Sequence, residues 1–186
     1  MSIVSRLLNR VPAARGLVLA PMRRRDLTAI QVIERQVYPQ PWSVNVFTSE
    51  LELAREGQRY YVSAHRAAQL VGYAGMMLVM DEAHITNIAT DPNRQREGIG
   101  RRLLADLAWE ARRRHCTGLT LEVRISNTAA QGLYHLFGFE PAGIRQRYYE
   151  NVEDAIVMWC HEINTDEYAN RLFQLSPKSG MRTVHR

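Results

Sequence analysis

Two glycines at the start of an amphipathic segment have the clearest chemical meaning in this sequence. Gly98 and Gly100 follow an apolar, strand-like run over residues 85–89 and open a helix-like pattern over residues 99–111. The first N–H groups of a helix have no partner within it and lie at the positive end of its dipole. Because glycine has no side chain, a phosphate can approach those N–H groups closely. The pattern predicts a pyrophosphate-binding site, although a glycine pair before a helix also occurs in ordinary turns.

The spacing of the glycines discriminates between known phosphate-binding motifs. A dinucleotide-binding fingerprint needs a third glycine, where this chain has Leu103. A P-loop ends in Gly-Lys-Ser or Gly-Lys-Thr, and the only lysine of the chain is Lys178. The pattern Gln95-x-x-Gly98-x-Gly100 instead resembles the acetyl-CoA signature of the GCN5-related N-acetyltransferases, Q/R-x-x-G-x-G/A.

Further motifs follow the same family in the same order, and they are similar to those of the RimI-type ribosomal-protein alanine N-acetyltransferases. They are Pro41-Trp42-Ser43, Asn87 to Pro92, Leu121 to Ala130, Leu133-Tyr134, Phe137-Gly138-Phe139, Arg147-Tyr148-Tyr149 and Glu153-Asp154-Ala155. The resemblance covers roughly residues 17–160. It implies the GNAT fold, an α/β (α+β) architecture. In that fold a mixed twisted sheet of about seven strands carries helices on both faces and splays at the acetyl-CoA site.

The resemblance also implies which residues contact acetyl-CoA, the expected co-substrate. They lie in the glycine loop and helix start, in the strand before it and at one later helix start: Gln95, Arg96, Glu97, Gly98, Ile99, Gly100, Arg101, Ile88, Ala89, Thr90 and Asn127. Arg96 and Arg101 add positive charge beside the predicted pyrophosphate. Asn127 is, from its type and position alone, equally a helix N-cap.

Amide formation from a thioester needs a base for the amine, a donor for the developing oxyanion and a proton for the leaving sulfur. Glu122 is the candidate base. It alternates with the apolar Leu121 and Val123 and so shares the opposite strand face with Arg124. A carboxylate partway along a sheet needs a partner, and a simple ion pair with Arg124 is the alternative interpretation. The family resemblance implies the catalytic role.

Tyr134 is the candidate acid. A phenol with a pKa of about 10 keeps its proton at neutral pH and can donate it to a thiolate. Tyr134 also belongs to an apolar stripe with Ala130, Leu133 and Phe137, so the alternative interpretation is a core tyrosine. The resemblance again implies the catalytic role.

Amine basicity favours a protein N-terminus as the acceptor. An α-amino group has a pKa of about 8 and a lysine amine about 10.4, so a single modest base suits the former. The resemblance implies that Tyr148 and Tyr149 close over the acceptor peptide, although tyrosines are also common strand formers. It implies the N-terminal alanine of a small-subunit ribosomal protein as acceptor. Internal lysines or a small-molecule amine remain alternatives. So does a non-catalytic acyl-CoA-binding module, against which the presence of Glu122 and Tyr134 argues.

These residues must be positioned by alternating elements. The apolar periodicity and turn residues predict strands over residues 17–22, 60–65, 70–79, 84–89, 119–125, 139–147 and 155–161. They predict helices over residues 26–37, 43–55, 99–115 and 127–136, with Asp26 and Ser43 as the first two N-caps.

The composition is ordinary for a soluble globular protein, with 46% hydrophobic and 23% charged residues. No apolar run approaches the roughly 20 residues needed to span a membrane. Cys116 and Cys160 have neither metal-binding spacing nor a disulfide framework, so we expect buried, reduced thiols and no metal cofactor. These features favour a cytoplasmic protein.

The charge is distributed unevenly along the chain. The net charge is +5, and six arginines precede the first acidic residue, Asp26. We expect a basic N-terminal extension over residues 1–16, an acetyltransferase domain over residues 17–163 and a C-terminal tail over residues 164–186. The extension is either a solvated segment or a contact for a polyanion such as the ribosome.

Overall fold

The structure is a computed structural model that describes residues 16–176. Seven strands form one sheet: β1 (Leu17–Pro21), β2 (Arg59–Arg66), β3 (Gln69–Val79), β4 (Glu82–Thr90), β5 (Gly118–Arg124), β6 (Glu140–Tyr149) and β7 (Glu153–Cys160). Five α-helices accompany them: α1 (Leu27–Val37), α2 (Val44–Arg55), α3 (Ile99–Arg113), α4 (Thr128–Leu136) and α5 (Asp166–Leu175). The predicted strands and the four predicted helices are all present within a few residues of their expected bounds.

The strand order across the sheet is β1-β2-β3-β4-β5-β7-β6. Every neighbouring pair is antiparallel except β4 and β5, which run parallel. A parallel pair needs a crossover connection, and α3 supplies it between β4 and β5. This mixed sheet confirms the predicted fold class.

Helices cover both faces of the sheet, as predicted. Successive residues of a strand point to opposite faces, and both faces of this sheet carry apolar side chains against which helices pack. On β2, Tyr61 packs in one apolar cluster with α1 and α2, whereas its neighbour Val62 packs in the other cluster with α3 and α5. The cluster that contains α3 and α5 is the larger of the two. Its fully buried residues include Leu103, Leu104 and Leu107 of α3. The glycine-led helix α3 is therefore fixed rigidly against the sheet.

The two predicted N-caps behave differently. Ser43 caps α2 as expected, because its side chain accepts a hydrogen bond from the backbone N–H of Val46. Asp26 occupies the N-cap position of α1, but its carboxylate makes no capping bond to that helix. It instead accepts bonds from the backbone N–H of Arg23 at 2.8 Å and from the Ser63 hydroxyl at 3.2 Å. Asp26 thus ties the chain before α1 to β2.

Helix α5 was not predicted from the sequence, and it lies beyond the expected domain boundary at residue 163. It packs along α3, where it buries Tyr168, Leu172 and Leu175. The Thr165 side chain caps its start by accepting a bond from the N–H of Tyr168. Part of the segment expected as a tail therefore belongs to the packed structure.

The predicted basic extension over residues 1–16 lies almost wholly outside the described residues, as does the end of the chain after residue 176. The polyanion contact expected of that extension therefore stays a prediction. No helix within residues 16–176 combines the length and apolar character needed to cross a bilayer.

Candidate active site

The sheet splits between β4 and β5. The two strands pair only from Glu82 to His84 on β4 and from Gly118 to Thr120 on β5. Beyond that point β4 continues to Thr90 beside β3, and β5 continues to Arg124 beside β7. The facing backbone edges of the two strands are therefore left open toward each other, which is the splay predicted for the acetyl-CoA site.

A β-bulge lies on β4 at the beginning of the open edge. In the pairing with β3, Gly75 is opposite Asn87 and Met76 is opposite Ile85, so Thr86 is the extra residue. Gly75 is required there, because a Cβ atom at this position would overlap the ring of Tyr61. A bulge bends its strand and re-aims the residues that follow it. On this edge those residues are the predicted cofactor contacts Ile88, Ala89 and Thr90.

The three predicted contacts on β4 differ in what they can offer a ligand. Ala89 is buried, and its side chain packs in the cluster under α1. The carbonyl of Ile88 accepts a long bond, 3.4 Å, from the Tyr38 hydroxyl at the end of α1. The backbone of this edge, rather than its side chains, is the part that can pair with an extended ligand.

The start of α3 has the backbone geometry expected of an anion cradle. Gly98 is its N-cap with a φ of +79°, a left-handed conformation that favours glycine. No side chain caps the helix, and its first turn carries no acidic residue. Arg96, two residues earlier, also has a positive φ of 64°. Loops of this kind turn successive N–H groups inward and bind anions.

Gly100 faces the space between β4, α3 and α4. An added Cβ atom there would lie 3.6 Å from the Leu133 side chain and 3.8 Å from the Thr90 hydroxyl. These are ordinary contact distances, so the fold itself tolerates a methyl group. A larger side chain would extend into the space in front of the first turn of α3, where the pyrophosphate is predicted.

Other predicted residues of the cradle have separate roles. Ile99 is 1% exposed and packs in the core, so only its backbone faces a ligand. The Glu97 carboxylate forms ion pairs with Arg66 at 2.6 Å and Arg94 at 3.6 Å, which fasten the loop to β2. Because a carboxylate repels a phosphate, Glu97 can serve one only through its backbone N–H. The Asn127 side chain caps α4 by accepting from the N–H of Ala130 at 3.1 Å.

Glu122 lies on the open edge of β5, and its carboxylate contacts the side chains of His84 and Arg145. Its Oε2 atom is 3.0 Å from Nε2 of His84, and its Oε1 atom is 3.1 Å from Arg145. Its side chain is only 7% exposed. The hydrogen bond from His84 and the charge of Arg145 outweigh burial and lower the pKa of Glu122. The carboxyl group is therefore ionised at neutral pH and able to accept a proton.

The alternative ion pair between Glu122 and Arg124 is not formed. Arg124 instead bonds to Glu150 at 2.7 Å and to Glu153 at 3.0 Å. Its guanidinium lies 4.1 Å from the centre of the Tyr149 ring. Arg124 thereby organises the turn between β6 and β7 and leaves the Glu122 carboxylate to other partners.

Three tyrosines converge on the split. Burial raises the pKa values of Tyr134 on α4 and Tyr38 on α1 well above the ordinary range, and that of Tyr149 on β6 to about 12. Tyr149 raises the pKa of Tyr134 further, and both of these raise that of Tyr38. The neighbour that raises the pKa of Tyr149 is Tyr148. Tyr149 also interacts electrostatically with Glu122, and its hydroxyl donates to the Glu122 backbone carbonyl at 3.1 Å. All three phenols are protonated at neutral pH.

The predicted acceptor residues lie at the mouth of the split. The rings of Tyr148 and Tyr149 meet edge to face with centroids 5.1 Å apart. Tyr148 is 47% exposed, and the guanidinium of Arg145 lies 5.4 Å from its ring centre. One exposed and one half-buried aromatic side chain next to Glu122 can contact a peptide that enters from solvent.

Sequence reasoning missed three residues of this site: Tyr38, His84 and Arg145. His84 carried a usable signal, because it is a titratable residue on the strand that leads to the glycine loop. Tyr38 and Arg145 carried none, since each reaches the site across another element. Their place depends on tertiary packing.

The two cysteines are buried and free, and burial raises the pKa of both thiols. Neither is therefore favoured as a nucleophile. Within residues 16–176, no group of three or more histidine, cysteine, aspartate or glutamate side chains is placed to hold a metal ion.

A split parallel pair, a bulged strand and an uncapped glycine-led helix define a class of protein, and comparison with known proteins identifies it. A profile described as the acetyltransferase (GNAT) family matches residues 27–139. The chain belongs to the acetyltransferase (GNAT) family, as the sequence motifs predicted.

Particular relatives are similar over most of this chain. The [ribosomal protein bS18]-alanine N-acetyltransferase of Escherichia coli K12 is 39% identical over 144 residues, covering 75% of this chain and 94% of the relative. The crystal structure of the ribosomal-protein-S18-alanine N-acetyltransferase from Escherichia coli superposes with a TM-score of 0.71 and 36% identity, covering 78% and 94% of the two chains. The PaiA N-acetyltransferase of Thermoplasma acidophilum, solved with coenzyme A, shares the fold at 14% identity and a TM-score of 0.68, covering 78% of this chain and 98% of that one.

Proposed function

We propose that this enzyme transfers an acetyl group from acetyl-CoA to the N-terminal α-amine of a protein, in the cytoplasm. The proposed acceptor is the N-terminal alanine of a small-subunit ribosomal protein. The observation that carries the proposal is an ionised, nearly buried carboxylate, Glu122, on the open edge of a split sheet in a GNAT-family chain. The names of the relatives in Escherichia coli support the choice of acceptor.

The residues of the split fit acetyl-CoA. The uncapped N–H groups from Gly98 to Arg101, together with Arg96, suit the pyrophosphate, and the open backbone edge from Ile88 to Thr90 suits the pantetheine arm. Gln95 precedes the cradle in extended conformation, and Asn127 starts α4 on the other side. Acetyl-CoA supplies the activated acetyl thioester.

Glu122 and Tyr134 divide the proton transfers. Glu122 accepts the proton that the acceptor amine loses, directly or through a water molecule, because its lowered pKa keeps it ionised. Tyr134 retains its proton because its pKa is raised, and it can donate that proton to the leaving sulfur. Backbone N–H groups of the bulged edge of β4 are the natural donors to the oxyanion.

The acceptor follows from the weakness of the base. A carboxylate with a lowered pKa is a poor acceptor for a lysine proton, whereas an α-amine with a pKa of about 8 is already partly neutral. Tyr148 and Tyr149 line the entrance next to Glu122 and are proposed to contact the first residues of the peptide.

Mass spectrometry of a peptide panel tests the proposal. Wild-type enzyme and acetyl-CoA are incubated with alanine-initiated peptides whose N-terminus is free or blocked, each with an internal lysine. We expect acetylation only of peptides with the free α-amine. Acetylation of the blocked peptides would move the acceptor to lysine, and no transfer to any peptide would favour a small amine.

We propose further that the basic extension over residues 1–16, with arginines of the domain that follows it, contacts a polyanion such as the ribosome. Arg23 and Arg24 line a cavity of about 330 Å³ at the β1 edge of the sheet, separated from β4 by β2 and β3. Five arginines line it: Arg23, Arg24, Arg55, Arg59 and Arg114. Three of them also pair with glutamates, but a guanidinium has enough donors to bond a phosphate as well.

Binding of a ribosomal RNA fragment, followed by fluorescence anisotropy across a salt series, checks this contact. Replacing Arg23 and Arg55 with glutamine should weaken binding and reduce the slope of log affinity against log salt by about two. The same change at Arg35, exposed on α1 and absent from the cavity lining, serves as control. An unaltered slope in the double variant would contradict a role for the cavity.

A further inference from the structure

Both oxygens of the Glu122 carboxylate are already engaged in the free protein. His84 on β4 holds one at 3.0 Å, and Arg145 on β6 holds the other at 3.1 Å. A carboxylate can accept about four hydrogen bonds, but this one is only 7% exposed. An ammonium group, or a water that relays its proton, therefore gains room beside Glu122 when one of the two partners moves away.

Exposure and position identify the contact that opens. The Arg145 side chain is 55% exposed and that of His84 20%. His84 lies within the last rung of the β4–β5 pair. Arg145 lies on the edge strand β6, next to an irregularity in its pairing with β7. The arginine can turn toward solvent and the exposed Tyr148 ring without disturbing the sheet.

We propose that Arg145 is an exchangeable counter-ion of Glu122, whose place the acceptor's α-ammonium group takes. This inference rests on the proposed function and deepens it. An incoming ammonium group carries the same charge as Arg145, which is the more exposed of the two partners of Glu122. A neutral, blocked N-terminus brings no charge to exchange, so it leaves the pair between Arg145 and Glu122 in place.

The exchange also changes the proton affinity of the Glu122 carboxylate. The charged and titratable groups that face Glu122 are His84 from β4 and Arg145, Tyr148 and Tyr149 from β6. In the register of β7, Glu122 is opposite the apolar Val157. Arg145 is the one permanent cation in this set. Its departure removes a charge that favours the ionised carboxylate, so Glu122 holds the proton that it takes from the ammonium more strongly than it would beside Arg145.

Binding measurements on two peptides test the exchange. One peptide begins with a free alanine, the other is identical but N-acetylated, and calorimetry is performed with CoA present. Arg145→Gln should bind the free-amine peptide at least about threefold more tightly than wild type, as expected for loss of a competing partly exposed ion pair. The acetylated peptide should bind equally to both. Arg145→Lys, which keeps the charge, should behave like wild type.

Arg147 provides a matched control on the same strand. Its described hydrogen bond is from its backbone N–H to Asp154, and Arg147→Gln removes the same charge without touching Glu122. This variant should leave both affinities unchanged. Equal weakening of both peptides by Arg145→Gln would overturn the proposal, because Arg145 would then bind the peptide chain itself. Unchanged affinity for both would also overturn it.

A titration of the free protein separates this inference from the proposed function. In carboxyl-¹³C-glutamate NMR, the titration midpoint of Glu122 should rise by about half a unit or more in Arg145→Gln. It should not move in Arg147→Gln. A rise together with wild-type protein that acetylates no peptide would reject the proposed function and keep the ion pair. An unmoved midpoint would reject the counter-ion role whatever the enzyme acetylates.

Discussion

The charge state of Glu122 depends on neighbours that come from other strands. Burial alone would favour the protonated acid. The hydrogen bond from His84 and the charge of Arg145 reverse that preference and lower the pKa. Tyr134, in contrast, has little to offset its burial, so its pKa rises. Two groups with pKa values moved apart in this way suit the separate roles of base and acid.

The loss of turnover in Glu122→Gln should depend on pH. The amide keeps the size of the side chain but cannot take a proton, so turnover of an alanine-initiated peptide should fall strongly at neutral pH. Activity should recover as the pH rises past about 8, where the acceptor amine deprotonates without help. A pH–rate profile against wild type is the measurement. A variant that is equally impaired at all pH values would show that Glu122 acts in binding or structure.

The loss of turnover in Tyr134→Phe should persist at every pH. The ring keeps its contact with Phe139, at 5.8 Å between centroids, so folding should survive. Loss of the proton donor should lower turnover by about 10²-fold or more, and a higher pH should not restore it. Thermal unfolding serves as the control for folding. Normal turnover in this variant would make Tyr134 a core residue and place the acid elsewhere.

At the scale of elements, the start of α3 and the end of β4 act as one unit. A Cβ atom placed on Gly100 would lie at contact distance from both Thr90 and Leu133, so β4, α3 and α4 meet around this glycine. The helix is held by its buried leucines, so the N–H groups of its first turn are presented at a fixed position. A preformed cradle loses little entropy when it binds a phosphate.

Gly100→Leu should raise the dissociation constant of acetyl-CoA at least about tenfold, because a side chain there occupies the approach to the N–H groups. Isothermal calorimetry measures the effect. Gly132→Ala is the matched control: it adds a methyl group on α4, where nothing lies within 4 Å. Unchanged affinity in Gly100→Leu would remove the basis for placing the pyrophosphate at α3.

Helix α5 changes the expectation for C-terminal truncation. The boundary expected from the sequence places residues 164–186 outside the domain, but a chain that ends at residue 163 loses Tyr168, Leu172 and Leu175 from the core. We expect this loss to lower the free energy of unfolding by about 4 kcal/mol or more. A chain that ends at residue 176 keeps the whole of α5 and serves as the reference. Urea unfolding of both tests this, and equal stability would show that α5 contributes nothing.

A point substitution isolates the packing of α5. Leu172 is fully buried, so Leu172→Ala should lower the free energy of unfolding by about 2–4 kcal/mol. Gln174→Ala, on the exposed side of the same helix, should change it little. Similar losses in both variants would point to helix propensity instead of packing.

At the scale of the whole molecule, the smaller core under α1 and α2 contains an ionisable group. Glu34 is 1% exposed, and its carboxylate accepts bonds from the Tyr73 hydroxyl and from the backbone N–H of Trp42. Burial outweighs these bonds and raises its pKa to about 7. The folded protein therefore binds this proton more tightly than the unfolded chain does.

This raised pKa makes stability depend on pH. Its favourable contribution is complete below the unfolded pKa of 4.5 and is lost as the pH rises through about 7. The loss is on the order of 3 kcal/mol. Between pH 5 and 8, wild type should therefore lose stability relative to Glu34→Gln, as urea unfolding at each pH would show. Parallel stability profiles would contradict the shift.

The sequence by itself determined the local features of this protein. Strand alternation, the Ser43 cap and the glycine pair before α3 follow from periodicity and backbone preference within a few residues, so they were predictable. The family, and with it the split sheet, followed from motifs of the same kind. Helix α5 had local signals of the same kind, namely the Thr165 cap, two acidic residues in the first turn, and Tyr168, Leu172 and Leu175 at i, i+4 and i+7. It was missed because it follows the last family motif and was therefore assigned to a tail.

Tertiary structure decided the electrostatics of the site. Glu122 meets His84 because β4 and β5 are parallel neighbours. It meets Arg145 across β7, the strand that pairs with both β5 and β6. Arg124, its neighbour in sequence and on the same strand face, bonds to the turn between β6 and β7 instead. Coulomb interactions depend on distance in space and on burial, and neither quantity is encoded in the spacing of residues along the chain.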